Sequence, residues 1–524
     1  MKQVFKVLIV FEVLSFFCAR LEAANWYVSS TKAGNGTLAN PGSLSNAISG
    51  SGWASKIAGG DTVWLRGGSG SGYLGGPLIY NSQGDFSTKP WNMKISGSST
   101  NAMITWRSYP NEWAVIGGEW TFGDTKFHRF QDLEFYDPYK GANPTNISSP
   151  NGPWTHFANH VAYSGNEFIN CVIHDVGNCF KNGGPPVVRG CIFWYVGLNA
   201  LEHLSYASCS NFVGNVAFWT AQDTINFASQ PSVVMKSNIF AGLGQGIAAR
   251  GSGAEVRMGL SSGAVSNAIF EFNYIYNAPT SLGPACLLLD GNSSSADGSG
   301  LSFSVLSNVL VAGVQSVAFM YNPVGSARFM GNTCLANITV DGYPVFTMKT
   351  NAAGWTVDYN RYYSRSPNNA YFVKGENPLL DLNQWQSTTG YDMHSTTTNF
   401  AYPPDAVYVI PNQDQAKRAH IAIYNWTLKD NVSVDVSSVL ASGDRFELYS
   451  VQNFNGGPIG VGTNTSGVIS IPMTNLTVAP FICAGNWMRR PPPLNPEFGA
   501  FVLIGHSGNG PPRPAWDLHV IPKQ

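Results

Sequence analysis

A short motif returns through the middle of the chain, and its spacing constrains the fold more than any other feature. Asn170-Cys-Val-Ile173 is echoed by Gly190-Cys-Ile-Phe193, Asn215-Val-Ala-Phe218, Asn238-Ile-Phe-Ala241 and Asn273-Tyr-Ile-Tyr276. Asn308-Val-Leu-Val311, Asn332-Thr-Cys-Leu335 and Asn360-Arg-Tyr-Tyr363 continue the series, and Asp132-Leu-Glu-Phe135 reads as an earlier copy. From Asn170 onward the steps between lead residues are 20, 25, 23, 35, 35, 24 and 28. A short apolar strand repeated at this spacing is the signature of a solenoid. One coil cannot bury its own apolar face, so coils stack and share a core. Strands of neighbouring coils then lie ~4.8 Å apart and equivalent residues form columns. Ile173, Phe193, Phe218, Ala241, Tyr276, Val311 and Leu335 are expected to form one such core column. The leading Asn suits a corner, where side-chain amides bond one another and tolerate left-handed turns. A β-sandwich of evenly spaced strands competes, but the Asn recurs in register with the apolar triplet, which favours the solenoid.

Composition narrows the function. Of 524 residues only 12% are charged, the formal net charge is −1, and no basic stripe marks a nucleic-acid partner. With 44% hydrophobic and 13% aromatic residues the chain has ample material for a core, which excludes disorder.

Residues 1–24 have Lys2 and Lys6, an apolar centre and the small-residue exit Leu21-Glu-Ala-Ala24, with Glu12 interrupting the apolar run. This is the pattern of a secretory signal peptide, and no later stretch is apolar enough to span a membrane. An exported, secreted protein is expected. Beyond Cys18, seven cysteines remain, an odd number. Cys171 and Cys191 share a column within disulfide reach, no spacing resembles a zinc site, and most of the thiols are expected to pack in the core. Asn-x-Ser/Thr sequons stand at Asn35, Asn146, Asn292, Asn337, Asn425, Asn431, Asn464 and Asn475, acceptors for glycans if the source is eukaryotic.

The opening of the mature chain adds a specific resemblance. Trp26-Tyr-Val-Ser-Ser30 reads as a strand, Asn40-Pro-Gly42 ends a loop, Ser43 to Ile48 has helical spacing with a capping Ser, and Gly59-Gly-Asp-Thr-Val-Trp-Leu-Arg-Gly-Gly68 is a strand closed by glycines. This order resembles secreted right-handed parallel β-helix proteins of the pectate-lyase-like superfamily. In that family the helix caps the N-terminal end of the solenoid. Trp385-Gln-Ser-Thr-Thr-Gly-Tyr-Asp-Met-His394 is similar to the segment that closes the coil array. The resemblance covers residues 25–400 and implies an all-β, right-handed parallel β-helix there. From Ala401 short strands alternate apolar and polar residues, as in Arg418 to Trp426 and Val432 to Val436. A small antiparallel β-sandwich with one wet face per sheet is expected over 401–510, followed by a tail over 511–524.

Candidate chemistry follows from aligning three coils on Phe180, Leu201 and Ile225, which stacks Lys181, Glu202 and Asn226. His203 and Arg250 join them, and His174 lies one corner away. The resemblance implies a polysaccharide substrate. Lys181 or His203 would abstract a proton beside a uronate carboxyl group. Arg250, Arg189, or a Ca²⁺ ion held by Glu202 and Asp223, would stabilise the enolate. The plainer reading makes Lys181 and Glu202 an exposed ion pair of little energetic weight and His203 a packed or solvated side chain. Trp194 and Trp219, at one offset in adjacent coils, would form a platform for sugar rings beside His174, and Asn226, in the row of Lys181 and Glu202, would also bind substrate. The activity expected is a polysaccharide lyase on an acidic polymer. A glycoside hydrolase, or a non-catalytic carbohydrate-binding protein, remains open. The chain is expected to act as a monomer.

Overall fold

The computed structural model describes residues 23–67, 80–81, 91–110, 112–118, 120–136, 156–159, 165–181, 187–197, 203–206, 209–220, 224–227, 232–242, 254–258, 265, 267–278, 285–289, 302–313, 317–320, 325–337, 344–348, 354–365, 372–374, 379–480 and 491–507. The expected signal peptide (but for residues 23–24), the loops around 138–153 and 291–300, Cys483 and the tail lie outside them. The chain winds into three long parallel sheets of 12, 11 and 12 strands. Apart from the first pair of the first sheet and the last pair of the third, successive strands of each sheet are separated in sequence by one strand of each of the others, which is the connectivity of a right-handed parallel β-helix. Each coil runs from the first sheet into the third, through a corner of one or two residues from residue 128 onward, and then into the second. Among the described residues no helix is long and apolar enough to cross a membrane.

The two ends are closed as the sequence implies. Helix α1 (Leu44–Ser49) starts at Ser43, whose hydroxyl accepts the Asn46 N–H at 3.2 Å, and sinks Leu44, Ala47 and Ile48 into the core. At the other end helix α2 (Leu382–Thr389) carries a capping box from Asp381 and Gln384. It lays Trp385, fully buried, on Phe372 at 4.9 Å.

The repeated asparagines form a continuous ladder along the tight corner. Each amide oxygen accepts the backbone N–H of the preceding rung: Cys191 from Asn215 (2.9 Å), then Asn215 from Asn238, Asn238 from Asn273, Asn273 from Asn308, Asn308 from Asn332 and Asn332 from Asn360. Each amide nitrogen donates to a backbone carbonyl of the coil before and to the next asparagine oxygen. The last rung, Asn360, ends on Asp392 and Ser395. Corner backbone groups that a turn would strand inside the core are thereby satisfied.

Two details of the sequence reading are corrected. The left-handed residue is not the ladder asparagine but the residue before it. Asn170, Gly190, Gly214, Ser237, Phe272, Ser307, Gly331 and Tyr359 all have φ between 53° and 67°. Asn170 and Gly190 therefore align with Gly214 rather than with Asn215, and the first two copies of the motif are offset by one residue. Strand register confirms this, pairing Ile173 with Phe193, Ala217, Phe240, Ile275, Leu310 and Cys334 in succession. The expected column from Ile173 to Leu335 splices two opposite faces, because a slip of one residue reverses every side chain. Cys171 and Cys191, which do share a column, are thiols and not a disulfide: the Cys171 N–H donates to the Cys191 sulfur at 3.3 Å. All six described cysteines are buried.

The C-terminal strands form a five-stranded antiparallel sheet and a two-stranded one. Ala419, Ile421, Ile423, Leu448, Phe501 and Leu503 of the larger sheet pack on Val434, Ile469 and Ile471 of the smaller, making the sandwich. The expected wet face on the larger sheet is absent. Its central strands, Arg418–Tyr424 and Phe498–His506, are buried on both faces except at the last two residues, because the second face presses on the third sheet of the solenoid. Tyr424, Phe498 and Val502 share one apolar layer with Val172, Ile192, Val216, Ile239, Tyr276, Val311 and Leu335. Three of the sequon asparagines, Asn337, Asn425 and Asn464, are 0 to 2% exposed and closed to glycans in the folded chain.

Candidate functional site

The covered third sheet settles the fate of the expected sugar platform. Trp194 is 2% exposed and Trp219 fully buried, so neither offers a ring to a substrate. They also belong to different columns: Trp194 pairs with His174 and Phe218, whereas Trp219 stacks on Tyr195 at 5.2 Å. The indole of Trp194 meets Phe454 of the C-terminal unit edge-on at 6.3 Å. These residues hold the two parts of the molecule together.

His174 lies in the same layer and is fully buried. Its ring is sandwiched between Tyr136 at 5.4 Å and Trp194 at 4.3 Å. Nδ1–H donates to Asp175 at 2.6 Å and Nε2–H to Glu134 at 2.5 Å. Burial alone would drive the proton off, but hydrogen bonds and charge from Asp175 and Glu134 outweigh it and raise the pKa to about 9. Glu134 also accepts from Trp113 Nε1 at 2.7 Å and from Asn455 of the C-terminal unit at 3.4 Å. The cluster is an imidazolium locked between two carboxylates, with no room for a substrate. The reading of His174 as substrate-binding is corrected to a structural role.

Arg189 is also removed from the expected groove. It ends a first-sheet strand beside the tight corner, and its guanidinium makes a two-pronged ion pair with Asp414 at 2.9 and 2.7 Å. A cation so neutralised cannot serve an enolate on another face.

The second sheet remains. Its inward column is Phe180, Ser205, Ile225, Val256, Leu287, Ala318, Phe346 and Phe372. Phe180 pairs with Ser205, not Leu201, so the aligned sequences were displaced by four residues at that coil. The position after the inward column is occupied by Lys181, then Tyr206, Asn226 and Arg257, with Asn159 before them. The register thus keeps Lys181 and Asn226 in one row, with Tyr206 where Glu202 was expected. Arg257, which the sequence reading missed, belongs to the same row. Its alternating context, Ala254 to Met258, was the available signal. His203 precedes the strand Ser205–Tyr206, is 5% exposed, and its carbonyl accepts the Cys179 N–H at 3.1 Å. Glu202, Asp223 and Arg250 lie outside the described residues. Among the described residues no group of three or more His, Cys, Asp and Glu side chains is placed to hold a metal ion, and the expected Ca²⁺ ligands Glu202 and Asp223 are not among those residues.

These features define a parallel β-helix whose third face is closed by its own C-terminal sandwich. No family model matches the chain, and no curated protein sequence does. Solved structures are similar to parts of the chain at low identity. The GH136 lacto-N-biosidase from Eubacterium ramulus is 12% identical over 72% of this chain and 68% of that one, with a TM-score of 0.35. The A-module of the mannuronan C-5 epimerase AlgE6 from Azotobacter vinelandii is 13% identical over 66% and 92%, with a TM-score of 0.33. Pectate lyase Pel9A is 12% identical over 73% and 80%, with a TM-score of 0.27. Likeness at this level assigns neither fold nor residue role.

Proposed function

We propose that the chain is an exported carbohydrate-active enzyme that binds an acidic polysaccharide along the second-sheet face and cleaves it by β-elimination. The observation that carries this reading is the distribution of chain among the three faces. From residue 128 onward the first and third sheets are joined by tight corners, and the third is covered. Over that stretch the long excursions, 137–155, 243–253 and 290–301, all enter or leave the second sheet, whereas in the first coil residues 66–79 join the first sheet to the third. Insertions confined to one face of a solenoid build its binding surface.

In the register of that sheet Lys181, Tyr206, Asn226 and Arg257 occupy equivalent positions on four successive strands, each ~4.8 Å from the next, a sequence of polar and cationic residues suited to a polyanion. Lys181 takes the proton on the carbon beside the substrate carboxyl group. Arg250 or Arg257 holds the carboxylate while charge builds on it, and the bond to the leaving glycosidic oxygen breaks as the double bond forms. His203 is the alternative base. The test is a panel of polygalacturonate, alginate and uronate-containing glycosaminoglycan, followed by ultraviolet absorbance of the unsaturated product. Wild type should generate that absorbance on one polymer, and Lys181→Ala should lose it with an unchanged thermal midpoint. New reducing ends without absorbance would replace elimination by hydrolysis. Binding with neither product would leave a non-catalytic lectin-like role, and no binding to any polymer would refute the reading.

A further inference from the structure

Asp61 is a buried carboxylate for which the described residues supply no cation. It closes a turn, its N–H donating to the Ala58 carbonyl at 3.1 Å, and leads into the first-sheet strand Thr62–Leu65. Only 3% of it is exposed. Oδ1 accepts the Ala24 N–H at 2.8 Å, and Oδ2 accepts the Trp26 indole N–H and the Ala58 N–H, both at 2.9 Å. All three donors are uncharged in the unbroken chain. None of the ion pairs among the described residues includes Asp61. Buried charges are as a rule paired with their opposite, so this carboxylate calls for an explanation.

Ala24 is where the chain enters the fold. Its carbonyl accepts the Thr62 N–H at 2.9 Å, Asn25 pairs with Thr62, and Trp26 packs on Trp53 at 5.7 Å against the core. Ala23, one residue earlier, is exposed. The peptide bond between them thus has its nitrogen held at Asp61 and its acyl residue open to solvent. Small residues stand on both sides of it, at the exit of the basic and apolar segment that begins the chain.

From this geometry we propose that the Ala23–Ala24 bond is the processing site of the chain, and that the α-ammonium released at Ala24 completes Asp61 as a buried ion pair. The proposal rests on the reading of the protein as exported, and it moves the boundary of the leader to one residue before Ala24. In the hydrolysis the water oxygen bonds to the Ala23 carbonyl carbon and the C–N bond breaks. Both water hydrogens end on the nitrogen, leaving a carboxylate on Ala23 and an ammonium on Ala24. The ammonium keeps the 2.8 Å contact, which becomes charge-assisted. Neighbouring bonds serve less well. A cut after Ala24 removes the donor, and a cut after Glu22 sets the charge one residue, ~3.8 Å between Cα atoms, further from the carboxylate.

The test uses the full-length chain expressed in a secreting host. Sequencing of the exported protein should begin Ala24-Asn-Trp-Tyr27. Acetylation of its α-amine at neutral pH, read by mass spectrometry of the first peptide, should run about tenfold slower in the folded protein than in urea, the effect of one pKa unit on the reactive free base. Asp61→Asn removes the charge and keeps the burial, and should restore fast acetylation without moving the cut. A second measurement needs no variant: the pH midpoint of acetylation in the folded wild type should lie above the ordinary α-amino range of about 7.7–8.0, whereas burial alone would not raise it. A first residue other than Ala24, a midpoint within or below that range, or acetylation of Asp61→Asn as slow as wild type would overturn the assignment. An exported chain cut elsewhere would do so while leaving the enzymatic reading intact; a chain retained in the cell with Met1 in place would remove the export as well.

Discussion

Replacing Asn308 by alanine removes a rung from the middle of the ladder, and its cost can be worked out bond by bond. The Asn308 amide oxygen accepts the Asn273 backbone N–H at 2.8 Å and the Asn273 side-chain amide at 3.1 Å. Its nitrogen donates to the Phe270 carbonyl and to Asn332 Oδ1, both at 2.9 Å. The Asn273 amide keeps a second acceptor in the Met235 carbonyl, and Asn332 Oδ1 keeps the Asn308 N–H. The exposed losses are therefore the Asn273 N–H and the Phe270 C=O, in a column that is 0 to 1% exposed. At roughly 1–3 kcal/mol for each buried group left unpaired, Asn308→Ala should cost about 2–6 kcal/mol. Ser302→Ala, one strand earlier on the exposed side, should stay within about 0.5 kcal/mol. Urea unfolding followed by circular dichroism gives the difference, and hydrogen exchange across residues 267–276 should show faster opening around Asn273. A loss under about 1 kcal/mol, with exchange unaltered there, would mean that the ladder is not what stabilises the corner.

Two further outcomes concern the covered layer. His174 keeps its proton to about pH 9 in the fold against an ordinary 6.5 when unfolded, so its contribution is fully present below about 6.5 and is lost as pH climbs to about 9. The difference corresponds to roughly 3 kcal/mol, to be read from urea midpoints across that window; His174→Gln should be less stable but flat over the same range. Trp194→Ala, at a 2% exposed site, should cost about 3–5 kcal/mol while leaving polysaccharide affinity at the second-sheet face unchanged, which a binding assay well below the unfolding temperature would show.

The recurrence of Asn with an apolar triplet was enough to read the coils, and the capping residues Ser43 and Asp381 sit where their sequence context puts them. The one-residue offset at Asn170 and Gly190 was harder. Cysteine takes the asparagine's place in those two coils, so the visible asparagine marks the wrong position. The covering of the third sheet did leave a trace: Ile192 to Val196 and Val309 to Ala312 lack the alternation of Asn267 to Glu271 on the first sheet. Unbroken apolar strands signal burial on both faces, and weighing that would have withdrawn Trp194 and Trp219 from the substrate. Partners distant in sequence, such as Asp414 for Arg189 and Asn455 for Glu134, leave no local pattern at all.

The C-terminal sheet also fixes how many coils the protein can have. An open solenoid tolerates gain or loss of a repeat, because each coil answers only to its neighbours. Here separate coils are matched to separate points of the C-terminal unit: Arg189 to Asp414, Gly214 to His420, Tyr195 to Ala479 and Tyr276 to Glu497. A duplicated coil inserted between Gly214 and Tyr276 would displace every later contact by one strand spacing, ~4.8 Å, and no side chain could bridge that error. The sandwich works as a ruler laid along the stack, and the length of the second-sheet face is set by it.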